Sequence, residues 1–399
     1  MSSPSSSPTL HQPLQELLPE RIVPALDVTA PGRHSDLVPG DDRAAILAWL
    51  REYARRANTL RAYQREARRF YLWLSTERRA SLAQLTRQDL ADYDAFLAAP
   101  PASWLPSTAE DAADVPANAN ERAWRPLRAP LSTFARRQAL IILQVMLQYL
   151  CDEGYLSRNP ARLVRDKGRA PPRKHRTVPD ATSMSHMLAG LVDQAELLAA
   201  GGTPLGEACA LARRDALVWA WIYWTGARRH ELAHALRGAV TQRIDNGTVQ
   251  WWWTVQGKGE LQSDIPVATQ AIDALAWYLK CPVDQLLHQL SSTAAEPLIG
   301  RVRGADASGC IMPSEIYASV RRGAGVVAQL AHANLLTRQD IDAFAQARPH
   351  DLRAFRTTHL LNDGTDPRHV QRLMRHVDIN TTLLYDHTQD TLFHASVAL

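Results

Sequence analysis

Between residues 239 and 267 the chain changes its periodicity, and no other feature limits its possible folds so sharply. Residues 239–244, 248–256 and 261–267 read as three short strands, separated by Asp245-Asn246-Gly247 and Gly257-Lys258-Gly259. Asn-Gly tolerates the positive φ of a tight hairpin turn, so these stretches predict a small antiparallel sheet. The segments on either side repeat their apolar residues at helical spacing instead. The expected fold class is therefore mainly α with a small antiparallel β-sheet.

The helical pattern starts at Asp41. Ile46, Leu47 and Leu50 share one face, and a segment opened by Thr59 then repeats Tyr63, Phe70 and Leu74, with Arg61, Arg65, Arg68 and Arg69 opposite. A third helix is expected from Thr86, capped by its hydroxyl with Asp89 as the capping-box partner, and burying Leu90, Tyr93 and Leu97. Residues 99–131, rich in Pro, Ala and Asp, read as a surface insertion. Residues 132–153 read as a long helix with Leu140, Leu143, Leu147 and Leu150 inside, stopped by Gly154. Four such helices make an all-α domain over residues 41–160. Residues 1–40, rich in Ser and Pro, read as a flexible lead-in. Residues 161–178 carry Lys167, Arg169, Arg173, Lys174 and Arg176 among prolines and read as an exposed basic linker. A solvated tether and a strand of phosphate contacts are equally open for it. Residues 179–399 form the second domain, with a helix over 215–236 broken near Thr225-Gly226, the sheet, and a mostly helical remainder.

Composition narrows the function classes. A chain of 399 residues that is 46% hydrophobic and 22% charged has a globular balance and room for a sizeable core. Lys and Arg exceed Asp and Glu by 45 to 41, which is compatible with nucleic acid without diagnosing it. The basic residues concentrate in 51–79, 158–176 and 348–375. Cys151, Cys209, Cys281 and Cys310 are far apart and form no CxxC pair, so neither a zinc site nor a disulfide framework is indicated. The first residues lack a basic-then-apolar pattern, and the most apolar run, 216–224, is too short for a bilayer, so a soluble cytoplasmic protein is expected.

Four segments carry chemistry. TGARRHEL, Thr225 to Leu232, places Arg228 just after a helix break with Glu231 one turn on, where a carboxylate steadies a guanidinium. Lys258 sits at the tip of a hairpin. HDLR, from His350 to Arg353, sets an imidazole and a guanidinium one turn apart on the same side. In LMRHVDINTTLLYDH, His376 precedes Tyr385 by nine residues, and Thr381-Thr382 can cap the helix bearing the tyrosine. Singly, each has a bland reading: a charged surface helix, a solvated lysine, a core tyrosine with its hydroxyl at the surface.

Together, in this order, TGxRxxEL, the hairpin lysine, HxLR and a His nine residues before Tyr resemble the tyrosine recombinase or phage-integrase family, Xer-like recombinases included. NTLRAYQREARRFYLWL is similar to that family's core-binding domain. The resemblance implies an all-α, SAM-like core-binding domain followed by an α+β catalytic domain. It implies site-specific DNA cleavage and rejoining through a 3′-phosphotyrosine and a Holliday junction, as in the integration of mobile elements. Tyr385 is then the nucleophile, Arg228 and Arg353 hold the phosphate, Lys258 is the general acid, His350 assists proton transfer and His376 hydrogen-bonds the phosphate. Fixed guanidinium groups can stabilise charge on non-bridging oxygens without a metal ion. A phenol ionises only near pH ~10, so Tyr385 needs surrounding positive charge and a nearby imidazole. The leaving 5′-oxygen needs a proton, which a lysine on a hairpin can supply. No cofactor, ATP or metal is expected; the partners are double-stranded recombination sites, a homotetramer on DNA, and accessory or directionality proteins. Arg61, Arg65, Arg68, Arg69, Arg169, Lys174 and Arg229 are the candidate DNA contacts.

Two positions depart from the family pattern: Arg375 stands where Gly is usual, and Ala354 follows HDLR where His is common. Three alternatives remain: a catalytically silent DNA-binding protein on the same scaffold, a type IB topoisomerase, and a metal hydrolase using His350, His359, His369, His376, His387 and His394. No HExxH spacing supports the last.

Overall fold

In the computed structural model the described residues are 40–106, 126–162, 177–201, 206–257, 262–302 and 309–386. The expectations for residues 1–39, for most of the insertion, for Arg169 and Lys174 in the linker, for Lys258 and for the last thirteen residues lie outside them. The chain divides into two compact units, Met1–Arg173 and Lys174–Leu399. Among the described residues, no helix is long and apolar enough to cross a membrane.

Among the described residues the first unit is built on four α-helices, α1 (Asp42–Arg51), α2 (Ala57–Trp73), α3 (Arg87–Ala98) and α4 (Thr133–Asp152). Asp41 caps α1 by accepting from the Ala44 amide, and the Thr86–Asp89 capping box forms at α3. The residues expected inside α3, Leu90, Tyr93 and Leu97, are buried, and α4 contributes Leu143, Leu147 and Leu150, with Leu140 only partly buried, before Gly154 ends it at φ +72°. A core of Trp49, Phe70, Trp73, Tyr93 and Trp104 results, with Phe70 edge-on to Tyr93 at 5.0 Å.

Two expectations fail in this unit. The basic face of α2 is narrower than its periodicity predicts: Arg61 and Arg65 are exposed, but Arg68 and Arg69 are only 9% and 6% exposed. Arg69 lies on the flank of the apolar stripe and donates to buried Glu66 at 2.9 Å, whose other oxygen accepts from the Tyr93 hydroxyl. The segment 99–131 is also not wholly a surface insertion. Trp104 and Leu127 are buried in the core, and the Trp104 indole N–H donates to Glu77 at 2.9 Å. An isolated tryptophan among prolines carries no periodic signal, so its burial is invisible until the fold is known.

The second unit wraps around one helix. It comprises α5 (Ala181–Ala200), α6 (Glu207–Thr225), α7 (Arg229–Ala233), a sheet of β1 (Val240–Asp245), β2 (Thr248–Gln256) and β3 (Gln262–Val267), then α8 (Thr269–Leu279), α9 (Val283–Ser292), α10 (Pro313–Arg322), α11 (Ala324–His332), α12 (Arg338–Ala345), α13 (Pro349–Asn362), α14 (Pro367–Met374) and α15 (Ile379–Leu383). Helix α6 starts eight residues before the expected Asp215 and is buried almost all round from Arg213 onward. A helix apolar on every side belongs in the middle of a domain, and α6 packs against α5, α8, α10 and α13. Its buried polar residues are paired: Arg214 with Glu315 at 3.0 Å, and Asp215 with Arg322 at 2.6 Å.

The sheet is antiparallel in the order β1-β2-β3, with Val240 opposite Trp253 and Trp253 opposite Ile265. Asn246 and Gly247 have φ of 47° and 76°, the two positive values a type I′ hairpin requires. Val240, Trp253, Val255, Ile265 and Val267 point into the core, where the Trp253 ring meets Trp221 of α6 edge-on at 5.6 Å. The sheet thus fixes the helix that leads into the TGARRHEL segment.

Candidate active site

Helix α6 ends where its sequence turns polar. Gly226 takes the left-handed conformation, φ 62°, and a Cβ there would run into the Met374 sulfur. Only glycine meets both demands. Arg228 then opens α7, and Glu231 caps that helix by accepting from the Arg228 amide at 2.6 Å. The same carboxylate accepts from Arg228 Nη1 at 2.8 Å, so the expected steadying of this guanidinium is present.

Arg353 reaches the same place from α13. That helix begins with Pro349, and Asp351 accepts from the Arg348 amide at 2.9 Å, which sets the first turn carrying His350 and Arg353. Arg353 is 2% exposed and donates to the carbonyls of Gly226 and Met374. Burial, followed by the charges of Arg228 and Arg375, pulls its pKa down to about 9, so it stays cationic at neutral pH. His350 is exposed on the same turn.

The His376 turn joins the two arginines. Helix α14 ends at Arg375, whose φ of 52° is left-handed, and this backbone explains why glycine suits the position. The turn is stapled by Gln371, whose carbonyl accepts from the His376 amide at 3.1 Å and whose side chain donates to the His376 carbonyl at 3.0 Å. Arg228 Nη2 donates to the Arg375 carbonyl at 2.7 Å. His376 Nδ1 lies 2.9 Å from the Thr382 hydroxyl, and its ring stacks on Tyr385 with centroids 6.3 Å apart. Tyr385 is half-buried against the small cluster of Leu361, Val370 and Met374. The expected capping by Thr381-Thr382 is not what forms. Asp378 caps α15, Thr382 lies inside it, and Tyr385 follows in the succeeding turn.

Arg228, Arg353, His376 and Tyr385 therefore converge, with His350 near enough to act on His376 electrostatically. Sequence reasoning missed two members. Thr382 orients His376, and Arg375 donates to Glu231 at 2.7 Å; for the second the one signal was the absence of glycine. Burial tends to raise the Glu231 carboxyl, but hydrogen bonds and charge from Arg375, with Arg228, hold it below the usual range. Arg229 is exposed, as expected for a solvent- or DNA-facing side chain.

The site suits an anion and not a cation. His359, offered as a metal ligand in one alternative, has both ring nitrogens engaged, at 2.7 Å from the Tyr223 hydroxyl and 2.7 Å from the Pro179 carbonyl. Among the described residues no group of three or more His, Cys, Asp or Glu is placed to hold a metal.

Burial, and then the charges of Arg353, Arg228, His350 and Arg375, push the His376 pKa down from 6.5 to about 4. In that window the unfolded chain binds a proton that the folded chain refuses, so this contribution to stability is complete above the unfolded value and is lost as pH falls toward the folded one. His359 shifts in the same direction, chiefly through burial. Thermal denaturation across the window should show a smaller acid-induced fall in Tm for His376→Asn than for the wild type. Parallel curves would mean that His376 is not held neutral by the fold.

The chain is similar to known proteins. The phage integrase family model matches residues 203–391. The chain is 30% identical over 341 residues to the tyrosine recombinase XerD of Ralstonia nicotianae, covering 85% of this chain and 86% of that protein. It is 28% identical over 348 residues to the tyrosine recombinase XerC of Mycobacterium tuberculosis, covering 86% and 94%. The XerH site-specific recombinase in its post-cleavage complex with a palindromic difH substrate superposes with a TM-score of 0.54 at 14% identity, covering 92% of this chain and 91% of that one. A lambda integrase dimer bound to a COC′ core site gives 0.50 at 12% identity, covering 86% and 76%. At those identities the structural likeness is one of fold.

Proposed function

The chain belongs to the tyrosine recombinase, or phage integrase, family, and from that premise we propose that it cuts and rejoins double-stranded DNA at a defined site through Tyr385. The observation that carries the reading is the convergence of Arg228, Arg353, His376 and Tyr385 from three separate segments on one anion-ready point. A catalytically silent relative would have no need of the full set.

The chemistry follows from the charges. Arg228 and Arg353 bind the two non-bridging oxygens of the scissile phosphate, exchanging neutral carbonyl acceptors for an anion. His376, with Nδ1 accepting from Thr382, donates to the phosphate through Nε2. The Tyr385 oxygen attacks phosphorus as its proton passes to His350 or solvent, and the bond from phosphorus to the 5′-oxygen breaks. Lys258 protonates that leaving oxygen. The 3′-phosphotyrosine conserves the diester bond energy, so attack by a 5′-hydroxyl from a partner duplex rejoins the strands without ATP. One round of exchange yields a Holliday junction and a second resolves it. Arg61, Arg65, Arg169, Lys174 and Arg229 supply phosphate contacts; Arg68 and Arg69, being buried, are withdrawn from that role.

The test is a nicked duplex drawn from DNA flanking the native gene, in which the cleaved end diffuses away and traps the intermediate. A denaturant-stable adduct with a blocked 3′ end is expected, whereas nicking that leaves free ends would refute the reading. A requirement for two partner duplexes separates recombination from topoisomerase activity.

The tetramer has its own test. Leu392, Phe393 and Val397 recur at helical spacing in the sequence, outside the described residues, and we propose that this apolar set docks on a neighbouring subunit. Deleting residues 391–399 should leave single-site binding within about twofold while cutting pairing of two sites and strand exchange by about tenfold or more, as expected when contacts between linked sites are removed. Native mass measurement of an intact tetramer on DNA with the truncated chain would rule the exchange out.

A further inference from the structure

Arg375 stands at the centre of the site although it is none of the reacting groups. Its side chain is 9% exposed and each of its three nitrogens is engaged inside the protein. Nη2 donates to Glu231 Oε2 at 2.7 Å and to the Gly226 carbonyl at 3.0 Å, Nε to Glu231 Oε1 at 3.2 Å, and Nη1 to the Leu373 carbonyl at 2.6 Å. Its Nε and Nη2 grip both oxygens of the Glu231 carboxylate, so this guanidinium, unlike that of Arg353, whose acceptors are neutral carbonyls, is committed to a charged partner rather than to the phosphate. It sits instead between the segment 226–231 and the turn 373–376, bonded to both.

The charge count gives the arrangement its meaning. Glu231 faces Arg228 on one side, at 2.8 Å, and Arg375 on the other. One buried carboxylate cannot neutralise two guanidinium groups. If Arg375 were absent, the whole negative charge of Glu231 would fall on Arg228, the group that must meet the substrate. With Arg375 present, part of that carboxylate is already balanced, and Arg228 is steadied without being cancelled. The Arg375 main chain adds to the effect, because its carbonyl accepts from Arg228 Nη2 at 2.7 Å.

We propose that Arg375 is a positioning residue for the phosphoryl-transfer site: it ties the His376 turn to the Arg228 loop and shares Glu231, so that Arg228 keeps its charge available to the scissile phosphate. The inference rests on the recombinase reading given above.

The experiment compares the wild type, Arg375→Gly, Arg375→Lys, Glu231→Gln and the Arg375→Gly/Glu231→Gln double variant. Glycine is the informative replacement because it accepts the left-handed backbone without strain. Two quantities are read on the nicked duplex: affinity, and the single-turnover rate of adduct formation at saturating protein. Arg375→Gly should bind DNA within about twofold of wild type yet form the adduct about tenfold or more slowly, the scale expected for a misplaced catalytic group. Arg375→Lys, which keeps the charge but loses the fork, should recover part of that rate. The double variant should be slowed by much less than the product of the single effects, since both act through the same contact. A wild type that forms no adduct refutes the recombinase reading itself, and this proposal with it. A wild type that does, with Arg375→Gly equal to it within about twofold, overturns the proposal alone. So do multiplicative effects, or a rate defect that lysine does not relieve and that merely follows a loss of folded protein.

Discussion

Tyr385→Phe should eliminate the covalent complex with DNA, lowering its rate of formation by at least ~10⁴-fold, as for loss of a nucleophile, while leaving the protein folded and bound to its site. The reason for so clean a separation lies in what the ring touches. It stacks on His376 and packs against Leu361, Val370 and Met374, contacts that a phenylalanine keeps. Exchanging one half-buried ring for its isostere should change stability by no more than ~0.5 kcal/mol. Arg228 and Arg353 are held by Glu231 and by backbone carbonyls, not by the phenol, so the anion site also survives. Adduct yield on a denaturing gel, measured beside a gel-shift titration, reads both halves of the expectation. An adduct of normal yield from the phenylalanine variant would assign the nucleophile elsewhere.

Lys258→Ala should slow cleavage of an ordinary phosphate by ~10²–10⁴-fold, the range for removal of a general acid. Cleavage of the same duplex with sulfur in the 5′-bridging position should be slowed far less. A thiolate leaves without a proton, whereas an alkoxide does not, so the substitution in the substrate replaces what the lysine supplied. The two substrates differ by one atom, and a defect in DNA binding or folding affects them equally. Equal defects would make Lys258 a structural or DNA-contact residue.

What the sequence revealed depended on how local the determining physics is. The three strands were legible because alternation and Asn246-Gly247 are local signals, and the ends of β1 and β3 moved by only one residue. The Thr86–Asp89 box and the buried face of α3 were legible for the same reason. Helix α5 went unmarked because Gly190 interrupts its pattern. That glycine is there for a tertiary reason: a Cβ would meet Val326 of α11 at 2.9 Å. The first turns of α6 were hidden because Arg213, Arg214 and Asp215 look like surface residues and are buried instead, each with a partner distant in sequence or on another element. The dispersed site residues were recognisable as a pattern, yet the geometry joining them was not. Arg375 read as a flaw in that pattern, since its left-handed backbone and its grip on Glu231 exist only after α14 and α7 come together.

The absence of a side chain at Gly226 reaches further than its own turn. Met374 occupies the space a Cβ would need, and the carbonyls of these two residues are the acceptors for Arg353. Any larger residue at position 226 would therefore have to hold a left-handed backbone and also displace the Met374 side chain, beside the two carbonyls that seat Arg353.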